Sequence, residues 1–393
     1  AFDEQLVRPP FSLALAASYF ECVRVTNMAG VDLNRYRFDF DLTFCALLMR
    51  ADGHLYHTFG GRTWRGAQSH LSVAAFVRAL GLTLEAHRSS GSIPSPKLSP
   101  PRTVEQFPPL ARRIAAGNAP ECVHCHSVHD WQVQTAVEAG QWLRETAWLY
   151  PDPIEWGIEL DSVEQNRIVA VHPTAESVRI VESQTPGSVG TTFERGDRIV
   201  RIDGVAVATF GDFTRALHRI TSEASTTTSL IQVDVVKAAA WESWRSAEGS
   251  ERSPPTQTVQ LQLSSDWRIP DPLTYSWRAM KWNLEPAPGF GGPQLDRSEI
   301  ATLGLPAGTF AYRVGYLVTW GHRKYTGVNA ARAGIREGDV VLSIAGKRDF
   351  ESIDHVHAWY RLTQQVGDTI PIELLRGKEK RVVMLEVVGP ESQ

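Results

Sequence analysis

The residues best suited to chemistry are two cysteines and a histidine in one short motif. Cys122 and Cys125 are separated by two residues, and His126 follows directly. C-x-x-C-H is the attachment signature of c-type haem. Two thiols at this spacing reach the two vinyl groups of one porphyrin, and the next imidazole then lies under the iron as proximal ligand. The motif therefore predicts one covalent haem c, held by Cys122 and Cys125, with His126 on the iron.

Other uses of the same residues stay open at the level of sequence. Zinc takes mixed sulfur and nitrogen ligands, and Cys122, Cys125, His126 and His129 would supply four. However, the usual two ligand pairs are separated by a loop, and here all four residues lie within eight positions. A thioredoxin-type dithiol would follow the first strand of an α/β unit, whereas this motif follows a Pro/Ser-rich stretch. A disulfide, or no function, is the last alternative, and haem attachment is favoured.

The sixth iron ligand is harder to assign. The chain has 12 histidines and 4 methionines, and both side chains are common haem ligands. His87 is the candidate, because it closes a predicted helix just before the Pro/Ser-rich stretch, which could let it meet the haem. The other candidates in the first 130 residues are Met28, His54, His57, His70, His124 and His129. An open sixth position, or closure by His322, His355 or His357, is the alternative.

Few other residues indicate chemistry. Cys22 and Cys45 lie on two predicted strands and either pair, if the strands are neighbours, or are buried as free thiols. Neither belongs to a C-x-x-C, so dithiol exchange is not expected. Asp39 and Asp41 lack the spacing of a calcium loop and are expected in solvated turns. Ser188 lacks the G-x-S-x-G context of a hydrolase nucleophile and has no matched base.

Length and charge limit the classes of protein. A chain of 393 residues and 43.6 kDa exceeds the roughly 250–300 residues of one core, so two or three domains are expected. A net charge of −4 argues against a chain-wide grip on nucleic acid or anionic membranes. Apolar runs fall short of the ~20 residues of a membrane span. The start at Ala1 is consistent with a removed targeting segment.

The elements around the motif follow from hydrophobic patterning. Strand-like patterns cover 20–26 and 44–49, a turn at Asp52-Gly53 leads into a hairpin partner at 54–59, and 71–87 has helical spacing. Alternating strands and helices predict an α/β domain over 1–90. Residues 91–117 read as a Pro/Ser-rich linker that ends in a short helical piece. The haem-attachment segment, 118–150, then carries a predicted helix from 126 to 149, ended by two prolines.

The remainder contains an internal repeat. Residues 195–204 match 337–346 at a constant offset of 142, and a helical pattern follows each copy. Gly190 and Gly334 also correspond once a two-residue insertion is allowed. The duplication predicts two domains of one type, 151–265 and 298–393, joined by a packed Trp-rich connector over 266–297. Residues 237–257 interrupt the first copy as an expected exposed hairpin extension.

The repeated unit resembles the PDZ domain in its bacterial, protease-associated form. Residues 334–339, Gly-Ile-Arg-Glu-Gly-Asp, fit the family's G-[IL]-x-x-G-D segment, which leads into a strand and a ligand-flanking helix. The resemblance implies binding of protein or peptide C-termini by strand addition beside that helix. The family's carboxylate-binding loop would fall at 156–160 in the first copy. In the second copy the nearest candidate is 303–306.

Residues 1–90 resemble the thioredoxin-like fold, with 48–56 at its central hairpin. The whole chain is similar to exported multidomain proteins of planctomycete-like bacteria that join these modules to a C-x-x-C-H segment. The resemblance implies an α+β multidomain chain: a thioredoxin-like α/β domain, a helical haem-attachment segment and two PDZ-like β-rich domains. It also implies a periplasmic or otherwise extracytoplasmic location. Homo-oligomerisation is left open.

These features favour a c-type haem protein with an electron-transfer role, docked to partners through PDZ domains. One alternative is a haem enzyme with an open iron site, of a peroxidase or small-molecule-oxidising type. Another is a PDZ peptide-binding scaffold or sensor in which haem is structural. The sequence does not decide whether the protein is an enzyme; if it is, a haem-dependent oxidoreductase is expected. No protease triad accompanies the repeats.

Overall fold

The computed structural model of the chain is a mixed α/β structure with several small sheets and helices. It describes residues 2–89, 94–97, 99–173, 178–181, 193–220, 229–246, 253–264, 266–321 and 323–389. The chain forms two compact units, Ala1–Pro270 and Asp271–Gln393. Within the described ranges, no helix is long and apolar enough to cross a membrane.

The first unit begins with helices and a hairpin. Its elements in order are α1 (Phe2–Val7), α2 (Phe11–Ala17), β1 (Ala46–Met49), β2 (Leu55–Phe59) and α3 (Val73–Ser89). β1 and β2 pair antiparallel around the turn at Asp52-Gly53, so the predicted hairpin and the helix after it are confirmed. The apolar faces of α3 and the hairpin enclose a small core with Phe2 and Leu13.

The strand predicted at 20–26 is wrong. These residues form neither helix nor strand, and Val23 and Val25 are 86% and 58% exposed. β-branched residues fit a pleated, half-buried surface, and in the described structure no neighbouring strand supplies one here. Cys22 and Cys45 are therefore not brought together on paired strands, and both are free thiols.

The second half of the predicted linker belongs to a core. Residues 104–110 form a short 3₁₀ helix, Val104–Gln106, and the start of α4 (Pro108–Ala115). Val104, Phe107 and Leu110 are almost completely buried, and they pack with Met28, Phe40 and the haem-attachment segment. Two of the prolines that suggested a linker, Pro108 and Pro109, occupy the first positions of α4, where no backbone N–H is needed for the helix.

The helix of the C-x-x-C-H segment is shorter than predicted. α5 runs from Cys125 to Glu138, whereas the apolar stripe predicted a helix to 149. Gly140 adopts a left-handed conformation, with φ of 64°, just after the helix end. A left-handed glycine at this place ends a helix. A separate 3₁₀ helix, Arg144–Ala147, follows.

The first repeat (151–265) contains a five-stranded antiparallel sheet. After a 3₁₀ helix, Pro153–Trp156, its elements are β3 (Ile158–Leu160), β4 (Ile168–Val171), β5 (Val178–Val181), β6 (Arg198–Ile202), β7 (Val205–Ala206), α6 (Phe210–Arg219), β8 (Ser229–Val236), α7 (Ala238–Ser246) and β9 (Gln257–Leu263). The sheet order is β5-β9-β8-β6-β7, and β3 pairs with β4. α7 occupies the start of the predicted hairpin extension at 237–257, because its alanine-rich start favours helix. Residues 247–252 of that extension lie outside the described residues.

The second unit contains the second repeat (298–393) and most of the connector. Its elements are α8 (Pro272–Tyr275), a 3₁₀ helix (Ala279–Asn283), β10 (Phe290–Gly291), α9 (Arg297–Thr302), β11 (Tyr312–Arg313), β12 (Tyr316–Leu317), α10 (Lys324–Arg332), β13 (Val340–Ile344), α11 (Ile353–Thr363), β14 (Thr369–Arg376) and β15 (Glu379–Glu386). The sheet order is β11-β13-β14-β15, and β10 pairs with β12. The connector packs on α11, where Lys281 pairs with Asp354 at 3.0 Å.

The two repeats share details of backbone geometry. β6 and β13 each carry a bulge between their second and fourth residues where they pair with the next long strand. The residues just after these strands, Asp203 and Ala345, both have positive φ, of 44° and 48°. The helices that follow are both capped by a hydroxyl, of Thr209 or Ser352, which accepts a hydrogen bond from the third helical residue. The repeat seen in the sequence is therefore also a structural repeat. Gly190 lies outside the described residues.

Two helical glycines allow a matched test of how closely the backbone at Thr58 packs against α6. A Cβ atom at Gly211 in α6 would lie 2.4 Å from the Thr58 carbonyl oxygen, whereas one at Gly81 in α3 would meet nothing within 4 Å. Alanine is favoured over glycine inside helices by about 0.5–1 kcal/mol. We expect Gly81→Ala to raise the free energy of unfolding by that amount and Gly211→Ala to lower it, in urea titrations. Stabilisation by both changes would contradict the close approach.

Candidate functional site

The three residues of the predicted haem site lie where the chain enters α5. His124 is the residue before the helix, and Cys125 and His126 are its first two residues. Cys122 is exposed, Cys125 is partly buried, and both are free thiols. The structure thus places two unpaired thiols and an imidazole along one helix start.

The entry to α5 is fixed by residues that the sequence analysis did not single out. Asn27 Oδ1 accepts a hydrogen bond from the Val123 N–H at 3.0 Å, and the Met28 N–H donates to the Val123 carbonyl at 2.8 Å. The Val123 side chain is buried in the small core around α5. The peptide between the two cysteines is therefore held on both its backbone groups, and the thiols project from a fixed segment.

A buried acid and a histidine anchor the next turn of α5. His129 Nδ1 lies 3.4 Å from Asp41 Oδ1, and Phe40 packs edge-on against the His129 ring. Asp39 and Asp41 are 5% and 2% exposed, so the prediction of solvated turns is wrong for both. Because residues 41 and 129 are 88 positions apart, no local pattern indicates this pair.

The zinc alternative is not assembled. Among the described residues, no three His, Cys, Asp or Glu side chains come together as a group that could hold a metal ion. His129 faces Asp41, and the set of Cys122, Cys125, His126 and His129 is not one cluster. The described structure therefore does not bring these four residues together as zinc ligands.

The residues present fit a covalent haem. Within the described structure, His126 Nδ1 is buried and has no hydrogen-bond partner. Several buried Trp and Arg nitrogens share this property, so the orphaned nitrogen is compatible with a bound group without singling one out. The two free thiols precede this imidazole at the spacing that haem attachment requires. Donor type, spacing and the orphaned nitrogen are all consistent with thioether links and a histidine ligand to iron.

Burial disfavours the thiolate form of two thiols, Cys125 of the motif and Cys45. Burial raises the pKa of Cys125, and it raises the pKa of Cys45 further. A reactive dithiol instead requires a lowered thiol pKa, because the thiolate is the nucleophile. Both groups therefore stay protonated at neutral pH.

His87, the candidate for the sixth ligand, lies in another set of contacts. It is exposed near the end of α3, and its Nδ1 lies 3.0 Å from the hydroxyl of Tyr56. In the described part of the chain, no hydrogen bond or ring contact joins His87 to the C-x-x-C-H motif. The sixth ligand stays a prediction. His322 lies outside the described residues, and His355 and His357 lie on α11 of the second unit.

Two other histidines of the candidate pool lie against the first repeat. His57 Nδ1 pairs with Asp212 Oδ2 of α6 at 2.7 Å. His70 stacks on Phe210 at 4.1 Å between ring centres, and its Nε2 lies 3.4 Å from the Leu160 carbonyl of β3. Both rings are buried in these contacts. His57 therefore connects β2 to α6, and His70 connects the segment after β2 to both β3 and α6.

The buried His70 predicts a pH dependence of stability. Burial lowers its pKa to about 4, and the Leu160 carbonyl with nearby Asp161 only partly offsets this. The folded state therefore binds fewer protons than the unfolded state between about pH 4 and 6.5, and stability falls as pH decreases through this window. We expect the protonation of His70 to lower the free energy of unfolding by about 2 kcal/mol between pH 7 and pH 5. Urea titrations at both pH values should show a smaller loss for His70→Gln. An equal loss would contradict this assignment.

The loops that resemble carboxylate-binding loops differ between the repeats. In the first repeat, Gly157 has a left-handed φ of 70° and leads directly into β3. In the second repeat, Gly289, with φ of 81°, leads into β10 in the same way. Residues 303–306, the nearest candidate in the sequence, instead follow the end of α9, and the loop of the second repeat stays a prediction.

Comparisons with known proteins add little. No family model and no curated protein matches the chain. Solved structures of the HtrA-type protease AlgW match parts of it. One with a decapeptide has 20% identity and a TM-score of 0.22 over 40% of this chain and 49% of that one. A variant with a tripeptide has 16% identity and a TM-score of 0.23 over 56% and 58%. The chain thus spans less than two thirds of these proteins, and likenesses this low carry no argument about fold or function.

Proposed function

We propose that this chain is an extracytoplasmic c-type haem protein with an electron-transfer role. Cys122 and Cys125 would carry the haem through thioether links, and His126 would bind the iron. The observation that carries the proposal is the C-x-x-C-H motif at the start of α5, with free thiols and an orphaned His126 Nδ1. When bound, haem supplies a one-electron iron couple.

The chain's own residues would hold this site in place. The backbone bonds of Val123 to Asn27 and Met28 fix the peptide between the cysteines. The Asp41–His129 pair ties α5 to the segment before β1 one turn after His126. An imidazole held on such a rigid helix start keeps one orientation, and axial ligand orientation is one of the levers that sets haem chemistry.

The repeats would supply docking. A PDZ-like interpretation is supported by features that the two repeats share: a bulged strand, a capped helix after it, and a short strand that directly follows a left-handed glycine. With this interpretation comes the binding of protein or peptide C-termini. The hairpin β1–β2 followed by α3 supports the thioredoxin-like interpretation of the N-terminal residues. A location outside the cytoplasm follows from the resemblance, because c-type haem is attached there. The redox partner is not specified.

A second candidate is a peptide-binding scaffold in which haem is structural. The observation that favours it is that, among the described residues, the two repeats build the two largest hydrophobic clusters, while the core around α5 is small. Such a protein would bind haem and peptides but would not cycle its iron with a partner.

Absorption spectra of the oxidised and reduced protein, with and without carbon monoxide or cyanide, test the proposal. An electron-transfer site with both axial positions filled should show c-type bands that reduction shifts and that the added ligands leave unchanged. Bands that shift with carbon monoxide would indicate an open iron and favour the enzyme alternative. Absence of haem bands after expression with a haem-attachment system would contradict the proposal.

A further inference from the structure

Residues 57–70 lie across both elements that flank the ligand groove in a PDZ-like interpretation of the first repeat. We infer that this segment is an internal ligand of the first repeat, and that it excludes peptides of other proteins while it is in place. The inference rests on the PDZ-like part of the proposed function. The segment contacts both α6 and β3.

The contacts with α6 are buried and polar. The Thr209 hydroxyl donates to the Thr58 carbonyl, and Asp212 accepts a hydrogen bond from the Thr58 N–H at 2.8 Å. The other oxygen of Asp212 pairs with His57 Nδ1 at 2.7 Å. Asp212 is completely buried, so these bonds satisfy a carboxylate that is out of water. The segment thus completes the hydrogen bonding of the helix start.

The backbone of the segment also lies directly on α6. A Cβ atom at Gly211 of α6 would lie 2.4 Å from the Thr58 carbonyl oxygen and 3.0 Å from that of Gly60. A Cβ atom at Gly61 would lie 2.4 Å from the Phe210 ring. Glycines on both sides therefore permit an approach that side chains would block. An external peptide has no room beside this face of the helix.

The segment then reaches β3. Arg65 makes a bidentate ion pair with Glu159, in which Nη2 lies 2.8 Å from Oε1 and Nη1 lies 3.1 Å from Oε2. His70 contacts both walls, since its Nε2 lies 3.4 Å from the Leu160 carbonyl while its ring stacks on Phe210. Side chains of one segment thus bridge the strand and the helix between which a PDZ ligand would lie.

The strand edge in question has no other partner in the described structure. Among the described residues β3 pairs with β4 alone, so strand addition would use its opposite edge. Residues 57–70 cover the approach to that edge from the α6 side. In this interpretation the approach to the groove is therefore occupied by a segment of the chain itself, with Gly61 against Phe210 and Arg65 against Glu159.

A labelled peptide tests the inference on the full chain. The probe is a fluorescein-labelled peptide of residues 55–71, measured by fluorescence polarisation against native protein, Gly61→Ala and Gly66→Ala. Gly61→Ala would push the internal segment off Phe210, whereas a Cβ atom at Gly66 meets nothing within 4 Å. We expect Gly61→Ala to bind the peptide at least about tenfold more tightly than the native chain or Gly66→Ala.

Two results would overturn the inference. One is equal binding of the peptide by all three proteins, and the other is no binding by a Gly61→Ala protein whose circular dichroism is native. If Gly61→Ala does not fold, hydrogen exchange of Arg65→Glu decides instead. Faster exchange at 58–61 and 158–160 together, restored by adding Glu159→Arg, supports the inference, and unchanged exchange overturns it. Haem staining of the same samples tests the proposed haem attachment separately.

Discussion

Replacement of His126 by alanine is expected to abolish the native haem-ligation spectrum. His126 is the imidazole that follows the two cysteines, and its Nδ1 is already buried without a partner. Loss of the proximal ligand changes the iron's coordination, so the reduced-state bands should lose their native positions. Any haem-dependent electron transfer to an added acceptor should be lost with them.

His124→Ala is the matched control for this change. His124 is exposed, and its side chain makes no capping hydrogen bond to α5. It should leave the spectrum and the folding of the protein unchanged. Equal spectral loss in both variants would show that the effect comes from the helix start rather than from ligation by His126.

Asp212→Asn is expected to cause a large loss of stability in the first unit. Asp212 is completely buried and accepts bonds from His57, from the Thr58 N–H and from the Ala208 N–H. An amide turns an NH₂ group toward donors that need an acceptor and leaves them unsatisfied. Breaking a buried pair in this way lowers the free energy of unfolding by about 3–5 kcal/mol.

Asp234→Asn provides the comparison for Asp212. The Asp234 side chain is 31% exposed and lies 3.8 Å from Arg201. Exposed ion pairs of this kind contribute about 1 kcal/mol or less. Urea titrations of both variants should therefore separate them clearly. A loss at Asp212 as small as the loss at Asp234 would contradict the role given to this carboxylate in joining β2 to α6.

Local patterns predicted the local parts of the structure. The helix start at the C-x-x-C-H motif, the hairpin around Asp52-Gly53 and helix α3 depend on residues close in sequence, and each lies close to its predicted place. Haem attachment at the motif stays a prediction. The prediction at 20–26 failed because strand propensity without a neighbouring strand does not make a sheet. The linker prediction missed the buried cluster formed by Val104, Phe107 and Leu110. These three apolar residues are spaced like one face of a helix, but the surrounding prolines indicated an extended linker.

The contacts that position the candidate site could not be predicted in this way. Asp41 meets His129 across 88 residues, and His57 meets Asp212 across 155. Such pairs produce no periodic pattern in the sequence, because each partner on its own looks like an ordinary polar residue. The proposed internal ligand at 57–70 could not be predicted for the same reason. The role of Gly61 and Arg65 is visible only from their contacts with α6 and β3. Pairing of distant segments is decided by tertiary packing.

Haem staining after denaturing electrophoresis tests the central claim most directly. The protein is expressed with a haem-attachment system, extracted with acid acetone and compared with the Cys122→Ser/Cys125→Ser double variant. Thioether links survive this treatment, so the native chain should keep its haem stain and the double variant should show none. A native chain that loses all its colour, or a double variant that keeps it, would contradict covalent attachment at these two cysteines.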